Sequence, residues 1–201
     1  MKRWIFHFIS ACCLIGTAGC GHLESYLEIA REKGMSGEYL AVLNEWTRSQ
    51  VIYSQFETQA HLSATYQSPE FNRAYLDEYA RIYQLQEKER KKQEDVRMTA
   101  EFTEFIFYAS LPEKTSNDFD RRGSIWTVFL VNGKGERIDP WEVRRIDPVT
   151  PVITKFFPYV NPYHGMVYRL RFHPVRKTEA TSLKLVITGV LGTAELKFVK
   201  R

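Results

Sequence analysis

Few of the residues able to do chemistry in this 201-residue chain stand at spacings that a reaction could use. His22, His61, His164 and His173 form no His-x-His or His-Glu-x-x-His arrangement, the spacings that bring two imidazoles onto one metal. His164 and His173 bracket one alternating stretch, which sets them near opposite ends of a strand and argues against a shared ion. Asn117-Asp118-Phe119-Asp120 opens as calcium loops do, with acids on alternate positions. The continuation fails: Arg122 stands fifth from Asp118, Gly123 sixth and Phe129 twelfth, where a bidentate glutamate belongs. Asp118 and Asp120 with Arg121 and Arg122 read more simply as a salt-bridged surface turn. There is no Gly-x-Ser-x-Gly elbow, Ser110 and Ser116 have no histidine nearby, and Gly133-Lys134-Gly135 lacks the strand-to-helix setting of a phosphate loop. A triad or a carboxylate pair assembled from distant segments stays open, because such separations are facts of three dimensions. The expectation is a protein that is not an enzyme, with no catalytic residues, no metal and no small-molecule cofactor.

One cluster suits recognition better than catalysis. Tyr159, Tyr163 and His164 fall in a proline-rich segment that feeds the strand carrying Arg169 and Arg171 on its polar face, with Arg176 and Lys177 beyond. Tyrosine and arginine are the types enriched at binding hot spots, so these five residues, 159, 163, 164, 169 and 171, form the candidate binding surface. The bland alternative is that the arginines keep a strand face soluble and the tyrosines cover the end of the core.

The elements that must position them follow from periodicity. Tyr39, Leu40, Val42, Leu43 and Trp46 recur at helical spacing after Ser36, a ready N-cap. Over residues 51–66 apolar and polar types alternate, which reads as a long strand with a bend or bulge; continuation of the preceding helix through Ile52, Phe56 and Ala60 is the rival. Ser68-Pro69-Glu70 is a helix start, with cap, proline at the first position and an acid in the first turn. Its stripe of Phe71, Tyr75, Tyr79, Ile82 and Tyr83 is a face for docking on a sheet, and the helix is predicted over about residues 69–94, ending in a charge-balanced run. From Met98 the chain reads as β. Residues 125–131 look like a central strand, Asn132-Gly133-Lys134-Gly135 a hairpin turn into 136–139, and 152–157 the best strand within a stretch holding five prolines. Met166, Tyr168, Leu170 and Phe172 alternate with Val167, Arg169 and Arg171, and residues 183–190 and 193–199 close the chain as a hairpin. Seven or eight mostly sequential strands predict a mainly β fold. Its form would be an immunoglobulin-like antiparallel β-sandwich with an N-terminal helix and one inserted α-helix, although no Cys-Trp-Cys framework supports the true immunoglobulin family.

The N-terminus carries the address. Lys2 and Arg3 precede an apolar run over residues 4–18, about 15 long where about 20 are needed to span a bilayer. Small residues then precede Cys20, and Thr17-Ala18-Gly19-Cys20 resembles the lipobox of bacterial lipoproteins, with Thr17 a departure from the usual Leu. The resemblance implies cleavage before Cys20, acylation of its sulfur and anchorage to a membrane; Gly21, where enterobacterial members use Asp for inner-membrane retention, implies the outer membrane facing the periplasm. Residues 1–19 are then a signal, 20–37 a tether and 38–201 one domain, with the polar residues 22–37 reading as a tether or a frayed helix. Cys12 and Cys13 leave with the signal, so the body has no disulfide, and loss of Lys2 and Arg3 takes the formal charge from +4 to +2, which argues against nucleic acid. The functional expectation is a lipid-anchored, non-catalytic binding or assembly module with a protein partner in the cell envelope; the alternative is an envelope hydrolase with a site of dispersed residues.

Overall fold

The computed structural model describes residues 21–54, 56–98, 102–175 and 182–199. The signal segment, Cys20 and the basic pair Arg176 and Lys177 lie outside the described residues. Along the chain come helices α1 (Gly21–Glu32) and α2 (Gly37–Trp46), strands β1 (Thr47–Ser54) and β2 (Glu57–Tyr66), helices α3 (Pro69–Tyr83) and α4 (Glu87–Met98), and strand β3 (Thr103–Ser110). Strands β4 (Trp126–Val131), β5 (Arg137–Ile138) and β6 (Glu142–Arg145) precede helix α5 (Pro151–Phe156), and β7 (Met166–Phe172), β8 (Ser182–Gly189) and β9 (Gly192–Val199) end the chain. Two antiparallel sheets result, one in the order β1-β2-β3-β7-β6 and one in the order β5-β4-β8-β9.

Alternation sorts the side chains of the first sheet into two cores. Phe105, Phe107 and Ala109 of β3, with Leu62 and Ala64 of β2 and Tyr168, Leu170 and Phe172 of β7, point toward Leu130, Leu185 and Phe198 of the second sheet. Rings meet across that interface, Phe105 and Phe198 at 5.2 Å between centroids. The intervening residues Ile106, Tyr108 and Val167 point the other way, into a second core made by the helices: Leu40 and Leu43 of α2, Phe71 and Tyr75 of α3, Phe156 of α5. The molecule is therefore helices on sheet on sheet, and the first sheet is apolar on both faces where the helices lie. Both anticipated caps form, with Ser36 Oγ accepting from the Tyr39 N–H at 3.2 Å and Ser68 Oγ from the Phe71 N–H at 3.0 Å.

Of the two readings of residues 22–37, tether or frayed helix, the helix forms as α1 from Gly21, docked through buried Ala30 with Met35 just beyond it. Three expectations need correction. Residues 51–66 are neither one bent strand nor a helical extension but the larger part of a hairpin that turns at Phe56, whose φ of 95° reverses the chain. The helix predicted over 69–94 is two helices, because Gln84 takes the left-handed conformation at φ 52° and its N–H bonds back to the Ala80 carbonyl. The strand predicted over 152–157 is helix α5, which Pro151 opens with its preset φ after Thr150. Strand β6 is one of the short edge strands expected between the prolines, and the strands number nine among the described residues.

The sandwich is stitched along one side. Arg48 Nε of β1 donates to the Lys197 carbonyl of β9 at 2.8 Å, and Gln50 Oε1 accepts from the Glu195 N–H at 2.9 Å, so side chains satisfy edge groups that no strand pairs. A methyl group on Gly192 would lie 2.6 Å from Ile52 Cγ2, which shows how closely the β8–β9 turn sits on β1.

Candidate functional site

Register places the arginines of β7 among acids. Arg171 lies opposite Glu104 of β3 on one side and Glu142 of β6 on the other, and Arg169 lies opposite Arg144. Because directly paired residues point to the same face, these side chains converge on the outer surface of the first sheet. Arg171 Nε donates to Glu104 Oε2 at 2.8 Å and its Nη1 lies 3.5 Å from Glu142 Oε2. The same glutamate receives Arg169 Nη2 at 3.3 Å and has Arg144 Nε at 3.6 Å. Glu142 is thus shared by three arginines, and the cluster of Arg144, Arg169, Arg171, Glu104 and Glu142 carries one surplus positive charge. The Arg169 side chain is 20% exposed, and its Nε is buried with no hydrogen-bond partner among the described residues.

Aromatic rings border the cluster. The Arg171 guanidinium lies 5.4 Å from the centroid of Phe102, which stacks on Trp141 at 6.5 Å, and Trp141 meets His173 edge-on at 5.3 Å. Trp141 is 64% exposed although tryptophan is among the most costly side chains to leave in water. Guanidinium forks match carboxylates two bonds at a time, and an exposed indole offers a flat apolar face, so the arrangement suits an anionic group attached to something that can stack.

The remaining members of the anticipated surface are elsewhere. Tyr159 is 2% exposed and belongs to the helix-side core, so it presents nothing to a partner. Its hydroxyl meets Thr65 Oγ1 at 2.7 Å, which in turn meets Thr47 Oγ1 at 2.7 Å, and burial holds its phenol well above the ordinary tyrosine value. Tyr163 is 84% exposed and His164 is exposed, both just before β7 begins, at the opposite end of that strand from Arg171. Ser110 Oγ donates to the His164 carbonyl at 2.9 Å, which fixes this turn to β3. Only Arg169 and Arg171 of the five come together. Glu104, Glu142, Phe102 and Trp141 were missed; the acids alternate with apolar neighbours on strands β3 and β6, a signal that becomes readable once the strand pairing is known.

Asp118 of the calcium-like loop accepts from Ser124 Oγ at 2.9 Å, and Phe119 beside it packs into the sandwich core against Trp126 at 5.2 Å. Among the described residues, no three His, Cys, Asp or Glu side chains gather closely enough to hold a metal ion, and no helix is long and apolar enough to cross a bilayer. Comparison of the chain with family models, with curated proteins and with solved structures gives no match.

Proposed function

We propose that the protein is a lipid-anchored component of the bacterial cell envelope that acts as a non-catalytic binding or assembly module, with the Arg169–Arg171 cluster and Trp141 as its contact surface. The observation that carries this reading is the coincidence of an exposed tryptophan with three arginines that share one glutamate and leave one positive charge in surplus. A partner carboxylate would pair with the surplus positive charge of the cluster, and the indole would supply the apolar anchor that binding hot spots use. The address rests on Thr17-Ala18-Gly19-Cys20, whose acylation would place the body at the outer membrane facing the periplasm. In architecture we liken the two facing antiparallel sheets to an immunoglobulin-type sandwich.

A photo-cross-linking residue placed at position 141 in intact envelopes tests the reading. The expected result is a discrete protein adduct whose yield falls at least about tenfold when Arg169 and Arg171 are both changed to alanine, corresponding to about 1–2 kcal/mol lost at a hot spot. The same probe at Lys88, exposed on α4, should give no such adduct. An adduct at 141 that ignores the arginine substitutions, or none at all, overturns the assignment of this surface.

A further inference from the structure

We infer that the groove between α1 and the proline-rich segment after α5 is a binding site for a long-chain fatty acid in its carboxylate form, an inference that goes beyond the proposed function and does not depend on it. The groove encloses about 600 Å³, within the range of roughly 300–1,000 Å³ typical of small-molecule sites. Its chemistry is divided along its length. Tyr26, Ile29, Ala30 and Lys33 line it from one face of α1, as spacings of three and four dictate, so the groove follows the helix for about 10 Å at 1.5 Å per residue. Ile29, Met35, Val149 and Val160 make its walls apolar.

Cations gather at one end. Lys33 follows the last turn of α1 and lines the groove, and Lys155 of α5 donates its Nζ to the Lys33 carbonyl, which puts the Lys155 ammonium at the C-terminal end of α1, where Lys33 also stands. Among the described residues, no aspartate or glutamate lines the groove. At the other end stand Tyr26, Pro162 and the exposed ring of Tyr163. An apolar channel with cations at one end and no acid to oppose them matches an amphiphile with a single anionic head. The lipid expected on the protein's own Cys20 does not fit this charge pattern, since a diacylglyceryl thioether carries no negative charge to set against Lys33 and Lys155.

The full chain carrying Cys20→Ala, purified in detergent-free buffer, provides the test by titration with hexadecanoate and with hexadecanol, which share a tail and differ in head charge. Saturable one-site binding of hexadecanoate is expected, at least about tenfold tighter than hexadecanol. The doubly substituted Lys33→Glu/Lys155→Glu chain should lose that preference. Ile29→Glu, at an exposed position of α1 that lines the wall, should weaken both ligands, with an unchanged circular dichroism spectrum showing that the fold survives. Lys88→Glu/Lys91→Glu on α4 should change nothing. Equal affinity for acid and alcohol, retention of the preference after both lysine substitutions, or failure to bind hexadecanoate would each overturn the inference.

Discussion

Glu78 is 3% exposed in the interior of α3 and yet holds its charge, because three donors surround it. Arg81 supplies two bonds, Nε to Oε2 at 2.9 Å and Nη2 to Oε1 at 2.6 Å, and the Ser36 N–H adds a third at 2.9 Å. These partners, the guanidinium foremost, hold the carboxyl at about 2 against an ordinary 4.5. A folded-state value below the unfolded one contributes stability that is full above about pH 4.5 and is lost as pH falls toward 2. Glu78→Gln should therefore lower stability near neutral pH by about 2 kcal/mol and flatten the decline of Tm between those pH values. An acid decline as steep in the variant as in the parent chain would show that another group controls it. The hydroxyl chain Thr47–Thr65–Tyr159 invites a second substitution. Thr65→Val keeps the shape but strands the buried Thr47 hydroxyl and leaves Tyr159 only its long 3.5 Å bond to the Ile106 carbonyl, at an expected cost of about 1–3 kcal/mol by denaturant titration. Neither arrangement could be read along the chain, since Ser36 and Glu78 lie 42 residues apart and Thr65 and Tyr159 lie 94 apart.

Elements were legible where one local force decides them and illegible where two compete. Strand β7 follows the alternation of Met166 to Phe172, and α2 and α3 start at the caps that Ser36 and Ser68 announce. Residues 51–66 misled because Phe56 makes the turn, and phenylalanine at positive φ is a choice that turn preferences argue against. Likewise Tyr83-Gln84-Leu85 breaks a helix without glycine or proline, and Pro151 begins a helix in a stretch whose other prolines suggested edge strands. Gln84→Gly should raise stability by about 0.5–1 kcal/mol, since glycine adopts this left-handed position without the Cβ penalty. A fall in Tm would show that the glutamine side chain contributes something the backbone does not reveal. Gly192→Ala should have the opposite sign, costing about 1–3 kcal/mol, because its φ of 133° and the nearby Ile52 methyl both resist a Cβ.

At the scale of the molecule, the double use of the first sheet explains both the order of the chain and the position of the candidate site. Helices cover the face at Ile106, Tyr108 and Val167, and Arg169 and Arg171 further along β7 stay within reach of solvent. The two-sheet body was readable from the count and alternation of strands. The helix layer was only half readable, since the polar sequence of α1 left tether and frayed helix open until its packing was known. If Cys20 is the acyl anchor, Cys20→Ser should move the protein from membrane pellets to the soluble fraction of broken cells, and a variant that still sediments would remove the basis for an envelope address.

The stitched seam between β1 and β9 has a consequence for the edge that β9 presents. An unpaired strand edge is a template on which another chain can add a strand. Arg48 and Gln50 already hold the Lys197 carbonyl and the Glu195 N–H of β9, so a strand arriving at that edge would find those two main-chain groups taken.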